Sequence, residues 1–220
     1  EDGTVLTFDR LLIATGARPI RPPIPGIDLP QVNPCWTLAD ARQIMELAKP
    51  GARVLLMGAG FIGCIILEAL ATRGVQLSVV EMQDRMVPRM MGEGAGGMIK
   101  RWVENKGIAV YTSTRVESIR AGAPLTVRLS NGKELAVDLM ISAAGVLPNI
   151  AFLAGSGIEC RQGVLTDERL QTNVPGVYAA GDCAEAFDVI TGTSIVSAIQ
   201  PNAADQAYCA GMNIGGKKSG

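Results

Sequence analysis

The chain has 220 residues, 48% of them hydrophobic and only 4% aromatic, with a formal net charge of -1. Scattered charge and few aromatics exclude a nucleic-acid surface or a polybasic membrane patch, and no apolar run approaches the roughly 20 residues that span a bilayer. There is no histidine, and the five cysteines (Cys35, Cys64, Cys160, Cys183, Cys209) form no short pair, so a zinc site, a Ser/His/Asp triad and a histidine acid/base are poor readings, and no metal site is expected.

The length fits one or two domains, and 48% hydrophobic residues are enough for a substantial core. Without a signal peptide or spanning run, the expectation is a soluble, cytoplasmic protein with reduced, mostly buried thiols.

In chain order, Glu1 to Phe8 reads as a charged turn and a strand. Leu11-Leu12-Ile13 reads as a second strand, ending in Ala14-Thr15-Gly16. From Ile20 to Pro34 the chain carries Pro22, Pro23, Pro25, Pro30 and Pro34. Proline lacks the amide that ladders need, so this stretch reads as an extended connection between domains. Trp36 to Ala48 has helical spacing, with Thr37 as N-cap and Pro50-Gly51 as the stop.

Arg53 to Thr72 carries the strongest signal. Val54 to Met57 is an apolar run short enough for a buried strand, and Gly58, Gly60 and Gly63 interrupt it where the pattern turns helical. Gly58 permits a tight turn, Gly60 admits a diphosphate close to the backbone, and Gly63 lets the helix lie against the strand. The diphosphate would sit on the free amides at the helix start, around Phe61 and Ile62, where the macrodipole favours negative charge. A second strand, Val75 to Val80, ends on Glu81, near the spacing of about 20 residues at which a carboxylate meets an adenosine ribose. A carboxylate there repels a 2′-phosphate, so NADH is favoured over NADPH, although Arg85 and Arg89 follow closely.

Beyond Glu81, a helix is expected from about Gly92 to Asn105, then strands at Ile108–Tyr111 and Arg115–Ile119. Leu125–Ser130 and Glu134–Val137 read as a hairpin turning at Asn131-Gly132, the preferred pair for a type I′ turn. Asp138 to Gly145 reads as another buried strand. After Pro148-Asn149, a small hairpin is expected at Ile158–Leu165 and a strand running into Gly181-Asp182. A final helix of small residues starts near Pro201, which suits a first turn.

These pieces together resemble the pyridine nucleotide-disulfide oxidoreductase superfamily. Within it they look closest to the NADH oxidases, coenzyme A-disulfide reductases and rubredoxin or nitrite reductase-like proteins. Four motifs in the right order carry the likeness: Ala14-Thr15-Gly16, Gly58 to Glu81, Ala144-Gly145 through Pro148-Asn149, and Thr172 to Asp182. The implied fold class is α/β: a Rossmann-like three-layer NAD-binding domain, of parallel sheet plus β-meander, with part of a second, FAD-binding domain of the same type. The implied layout is 1–21 in the FAD-binding domain, 22–34 a linker, 35–147 the NAD-binding domain and 148–220 the C-terminal part of the FAD-binding domain.

The resemblance also implies site residues. Gly58, Gly60, Phe61, Ile62, Gly63, Glu81 and Gly145 would hold NAD, with Gly145 bordering the nicotinamide. Ala14, Thr15, Gly16, Gly181, Asp182, Pro201, Asn202 and Ala203 would hold FAD, with Asp182 on the ribityl chain and the helix start at Pro201 facing the flavin pyrimidine ring. The family's N-terminal FAD-binding segment, with its redox cysteine, and its C-terminal dimerisation domain are not in this sequence, so the resemblance implies a fragment, no catalytic residue within it, and a homodimer when full length. Many relatives carry glutamate two residues after the third glycine; here that position is Ile65, and Glu68 lies about 4.5 Å further along the helix. Cys183, next to Asp182, is expected as a small packed residue.

The implied function is an oxidoreductase that passes hydride from NADH to FAD and on to a second acceptor: oxygen, a disulfide or persulfide, or a small iron protein. The alternative is a non-catalytic NADH-binding redox sensor or regulatory module, which Ile65 favours.

Overall fold

A computed structural model of the chain describes residues 2–217 and 219. In chain order the elements are β1 (Leu11–Ile13), β2 (Ala17–Pro19), β3 (Val32–Pro34), α1 (Leu38–Leu47), β4 (Arg53–Met57), α2 (Phe61–Thr72), β5 (Gln76–Val80), α3 (Glu93–Glu104), β6 (Ala109–Tyr111), β7 (Val116–Arg120) and β8 (Leu125–Leu129). There follow β9 (Glu134–Val137), β10 (Leu139–Ser142), β11 (Val146–Pro148), β12 (Val164–Leu165), β13 (Val177–Ala179), β14 (Ala184–Asp188), β15 (Thr193–Ile195) and α4 (Gln200–Ile214). Contacts divide the chain into two units, Glu1–Arg18 with Val146–Gly220, and Pro19–Gly145.

The unit Pro19–Gly145 is built on a five-stranded sheet of order β3-β10-β4-β5-β6, every neighbouring pair parallel. Alternation along β4 sorts its side chains between two cores. Val54 and Leu56 join Ile44 of α1, Leu67 and Leu70 of α2 and Val103 of α3. Leu55 and Met57 join Val127, Leu129 and Val137 of the antiparallel meander β7-β8-β9. Helices on one face and a meander on the other make three layers. A strand buried on both faces has no polar alternation to show, which is why β4 reads as a continuous apolar run.

Local chemistry sets the element ends. Thr37 Oγ1 accepts from the Asp40 amide at 3.1 Å, and an Asp40 carboxylate oxygen accepts from the Thr37 amide at 2.7 Å. This capping box starts α1 at Leu38 and contributes about 1 kcal/mol. The proline-rich stretch is not a bare connection: Ile27 and Val32 are buried in the meander-side core, and β3 forms the edge of the sheet.

Two expectations need correction. Among the described residues no strand covers Asp2–Thr7, and Val5 and Leu6 are exposed; two adjacent apolar residues cannot hold a strand without a neighbour to pair with. The β8–β9 hairpin is not closed by a type I′ turn, because Gly132 has φ +83° and Asn131 is not in the left-handed region. Leu129 bonds both Gly132 and Lys133, the pattern of a longer loop with a glycine bulge, and only the glycine needs a positive φ.

At the start of β4, Arg53 grips Asp138: Nε donates to Oδ2 at 2.9 Å, an η nitrogen to Oδ1 at 2.7 Å, and the Arg53 amide to Oδ2 at 2.9 Å. The Arg53 side chain, then its amide, hold the Asp138 carboxyl below its ordinary value. A carboxyl lowered by folding stabilises the fold above its unfolded pKa and loses that contribution as pH falls through the folded one. Asp138→Asn should therefore lower Tm at neutral pH, with the difference closing below about pH 4 in paired melting curves.

In the unit Glu1–Arg18 with Val146–Gly220, β1 pairs with β13 in parallel, and β12-β14-β15 form a three-stranded sheet. β2 and β11 form a separate two-stranded sheet. Ile13, Val164, Val177, Ala179, Cys183 and Ala184 make one core, and Leu170, Tyr178, Ala180 and Ala210 of α4 make another.

Candidate dinucleotide-binding site

The turn after β4 is fixed at each glycine for a different reason. Gly58 has φ +101°, and a Cβ there would lie 2.4 Å from the Ala143 carbonyl oxygen. Its amide donates to Val80 O at 2.8 Å, tying the turn to β5. A Cβ on Gly63 would lie 2.2 Å from Gly58 O, so α2 runs directly against the turn. At Gly60, the N-cap of α2, a Cβ would meet no described residue beyond its chain neighbours within 4 Å. The turn is open at this point.

The helix start is correspondingly unfilled. No side chain caps α2, and among the described residues the amides of Phe61, Ile62 and Gly63 have no acceptor, whereas the Cys64 amide is already bonded to Gly60 O. Unpaired first-turn amides at the positive end of a helix favour an anion.

Glu81 closes the other side. It is 7% exposed; Oε2 accepts from the Ala59 amide at 2.7 Å and Oε1 from the Gln83 amide at 2.8 Å. Each oxygen keeps a lone pair for a further donor. Burial and then the nearby Glu81 charge push the Cys64 thiol up, so this cysteine stays a thiol at neutral pH. Arg85 is committed to Asp84 and to Met91 O, at 2.9 to 3.0 Å, while Arg89 is exposed. Gly145, at φ +101°, lies three residues past β10, on the same carboxyl-end rim of the sheet as Gly58 and Glu81. Six of the seven residues expected at NAD thus gather around one turn, and Gly145 shares the rim.

Ile65 is 59% exposed and Phe61, one turn earlier, 49%. Residues four apart share a helix face, so the start of α2 presents an apolar pair where many family members carry an acid. Glu68 is exposed on the same helix.

In the other unit the expected FAD residues also converge. β1 and β13 are parallel neighbours, so Ala14-Thr15-Gly16 and Gly181-Asp182 leave adjacent strands at the same rim, where α/β sheets bind ligands. Asn149 laces the first motif: its amide donates to Gly16 O at 2.9 Å, its Nδ2 to Thr15 O at 3.1 Å, and Thr15 Oγ1 donates to Asn149 O at 2.8 Å. Gly181 has φ +79°, and its amide donates to Gln206 Oε1 on α4 at 2.8 Å. Asp182 has no hydrogen-bond partner among the described residues and is partly exposed, leaving its carboxylate able to accept from a ligand. At the start of α4, Pro201 lies in the first turn and Asn202 Nδ2 donates to Ser197 Oγ at 2.6 Å. The Ala203 amide is taken by Ile199 O at 3.1 Å, so among the described residues the free amides of this helix start belong to Gln200 and Asn202. The first site thus offers free helix-start amides and open space at Gly60, and the second offers free helix-start amides and an unpaired Asp182 among the described residues.

Cys183 is fully buried, its thiol donating to Ile13 O and Ala180 O at 3.4 Å. Cys160 is exposed, its thiol pushed up by partial burial and by Glu185. A mass-resolved labelling course with a thiol reagent should modify Cys160 in the native chain and Cys183 only on unfolding; rapid native labelling of Cys183 would contradict a packing role.

The supports Ala59, Val87, Asn149 and Gln206 carry no signal of their own in the sequence. Ala59 and Asn149 stand within motifs but not at their signature positions, Ala59 and Val87 act through backbone groups, and Gln206 acts across a gap of 25 residues. Among the described residues no group of three His, Cys, Asp or Glu could hold a metal ion, and no helix is long and apolar enough to cross a membrane.

A parallel sheet with a glycine turn, an open helix start and an acid on one rim defines a nucleotide-binding α/β protein. The chain belongs to the pyridine nucleotide-disulphide oxidoreductase family, whose model matches residues 1–211. It is 38% identical over 218 residues to the NADH-dependent phenylglyoxylate dehydrogenase subunit epsilon of Aromatoleum evansii, covering 98% of this chain and 51% of the relative. It is 35% identical to an NADH oxidase of Methanocaldococcus jannaschii, covering 96% and 48%. Among solved structures, a NAD-dependent persulfide reductase from A. fulgidus superposes with a TM-score of 0.92 at 34% identity, covering 97% of this chain and 40% of that one. The chain spans about half the length of the curated relatives it matches.

Proposed function

We propose that this chain is the NADH-binding part, with a share of the FAD-binding part, of a flavoprotein oxidoreductase that takes hydride from NADH and passes electrons to oxygen, a disulfide or persulfide, or a small iron protein. The observation that carries this reading is the cradle at α2: unobstructed space at Gly60, unpaired amides at Phe61, Ile62 and Gly63, and a buried carboxylate at Glu81 on the same rim.

The chain's residues bind and orient. The first-turn amides of α2 would take the diphosphate of NADH, Glu81 the adenosine ribose hydroxyls, and Gly145 would border the nicotinamide. Ala14 to Gly16, Gly181 and Asp182 would line the flavin, with Asp182 accepting from its ribityl hydroxyls. The dipole of α4, whose first turn carries Pro201, Asn202 and Ala203, would favour negative charge on the ring. FAD, when bound, supplies the hydride acceptor, and no side chain of this chain needs to act as acid or base. The reading places the complete protein in the cytoplasm as a homodimer.

Ile65 favours a second reading, a redox sensor that binds NADH without turnover. Anaerobic addition of NADH to the complete protein separates the two. The oxidoreductase is yellow and bleaches; a colourless protein that still binds NADH would be the sensor.

A further inference from the structure

The segment between β5 and α3 holds the least expected backbone in its unit. Val87 has φ +50°, although it is β-branched and precedes Pro88, two features that disfavour this region. Such a conformation persists only where its surroundings over-determine it. Here they do. Met86 is fully buried and Val87 is 7% exposed; Val87 O accepts from the amides of Met90 at 3.1 Å and Met91 at 2.9 Å; and Arg85 Nε donates to Met91 O at 3.0 Å. A Cβ on Gly96 would lie 2.7 Å from Met86 O, so α3 packs tightly over the segment.

The left-handed backbone aims one group at the glycine turn: the Val87 amide donates to Ala59 O at 2.8 Å. The Ala59 amide already donates to Glu81 at 2.7 Å. The residue at the centre of Gly58-Ala59-Gly60 therefore has both polar groups held, one by each end of the stretch 81–87.

We propose that Val87 is a positioning residue: its strained backbone delivers the amide that, together with Glu81, sets the glycine turn in its binding geometry before a dinucleotide arrives. The inference rests on the reading of this turn as the NADH site. Its consequence is that the conformational cost of shaping the cradle is met in folding, leaving more of the binding energy as affinity.

Residue-resolved hydrogen exchange, with and without NADH, tests both statements separately. The Ala59 and Val87 amides should be as protected as those of β4 in both conditions, and the Phe61, Ile62 and Gly63 amides should gain protection only with NADH. Free exchange at Ala59 and Val87 that stops on adding NADH would overturn the positioning role and leave the NADH site standing. No change at Phe61 to Gly63 would overturn the site and the proposal with it. Two variants supply an independent readout. Val87→Gly keeps the amide and accepts the positive φ, so it should lower Tm but hold the NADH Kd within about threefold. Val87→Pro removes the amide and, with φ locked at about -65°, the left-handed backbone that aims it, and should weaken Kd by about tenfold or more. Equal loss of affinity in the glycine and proline variants would mean that the buried side chain alone matters, and the positioning role would fall.

Discussion

Gly63→Ala is expected to weaken NADH binding by about a hundredfold or more, equivalent to about 2.8 kcal/mol. The added methyl would sit 2.2 Å from Gly58 O, far inside contact distance, and that carbonyl cannot retreat because Gly58 is itself pressed against Ala143. Relief comes from α2 backing away from the turn, which carries the Phe61 and Ile62 amides off the position they share with Gly60. Overpacking of this kind also costs about 1–3 kcal/mol of stability, so Tm should fall as well. Gly60→Ala is the matched control. Its backbone, at φ -74°, suits any residue and its methyl meets no protein atom within 4 Å, so Tm should hold. Binding should still drop, because the methyl enters the space assigned to the diphosphate. Calorimetric melts beside NADH titrations of the two variants separate a fold role from a ligand role.

Glu81→Ala should reduce NADH affinity strongly and NADPH affinity much less, narrowing or erasing the preference between them. The carboxylate would accept from both ribose hydroxyls of NADH and repel a 2′-phosphate, so its removal costs one ligand contacts and spares the other a repulsion. The structure adds a second effect. Without Glu81 the Ala59 and Gln83 amides lose their acceptors, at about 1–3 kcal/mol for the buried Ala59 donor, whereas water can reach Gln83, which is exposed. The Ala59 loss disturbs the turn for both nucleotides, so the informative quantity is the ratio of the two dissociation constants, not either alone. Parallel titrations showing equal losses would remove Glu81 from the ribose and leave it as a structural brace.

Much of this was readable in the chain because the signals are local. Val54 to Met57 is apolar throughout since β4 is covered on both faces, Thr37 and Asp40 form a box within one turn, and Gly58 and Gly63 stand where a Cβ has no room. What was hidden depends on residues far apart or on backbone groups. Asn149 laces Thr15 across the length of the chain; Gln206 reaches Gly181 from a later helix; and Val87 adopts a conformation that nothing in its own side chain favours. Proline density between Ile20 and Pro34 reports a missing ladder amide and carries no information on burial, and the Ile27 and Val32 side chains are buried among the prolines. Pro201 marked the helix start correctly, but which amides stay free there depends on Ile199 O, and the sequence says nothing about where that carbonyl points.

The central claim is that an adenine dinucleotide lies across the start of α2. Isothermal titration of the chain with NADH tests it most directly. One saturable site per chain is expected, weaker for NADPH and impaired by Gly60→Ala at unchanged Tm; absence of saturable NADH binding, or binding that Gly60→Ala and Gly63→Ala both leave intact, would contradict a dinucleotide at this helix start.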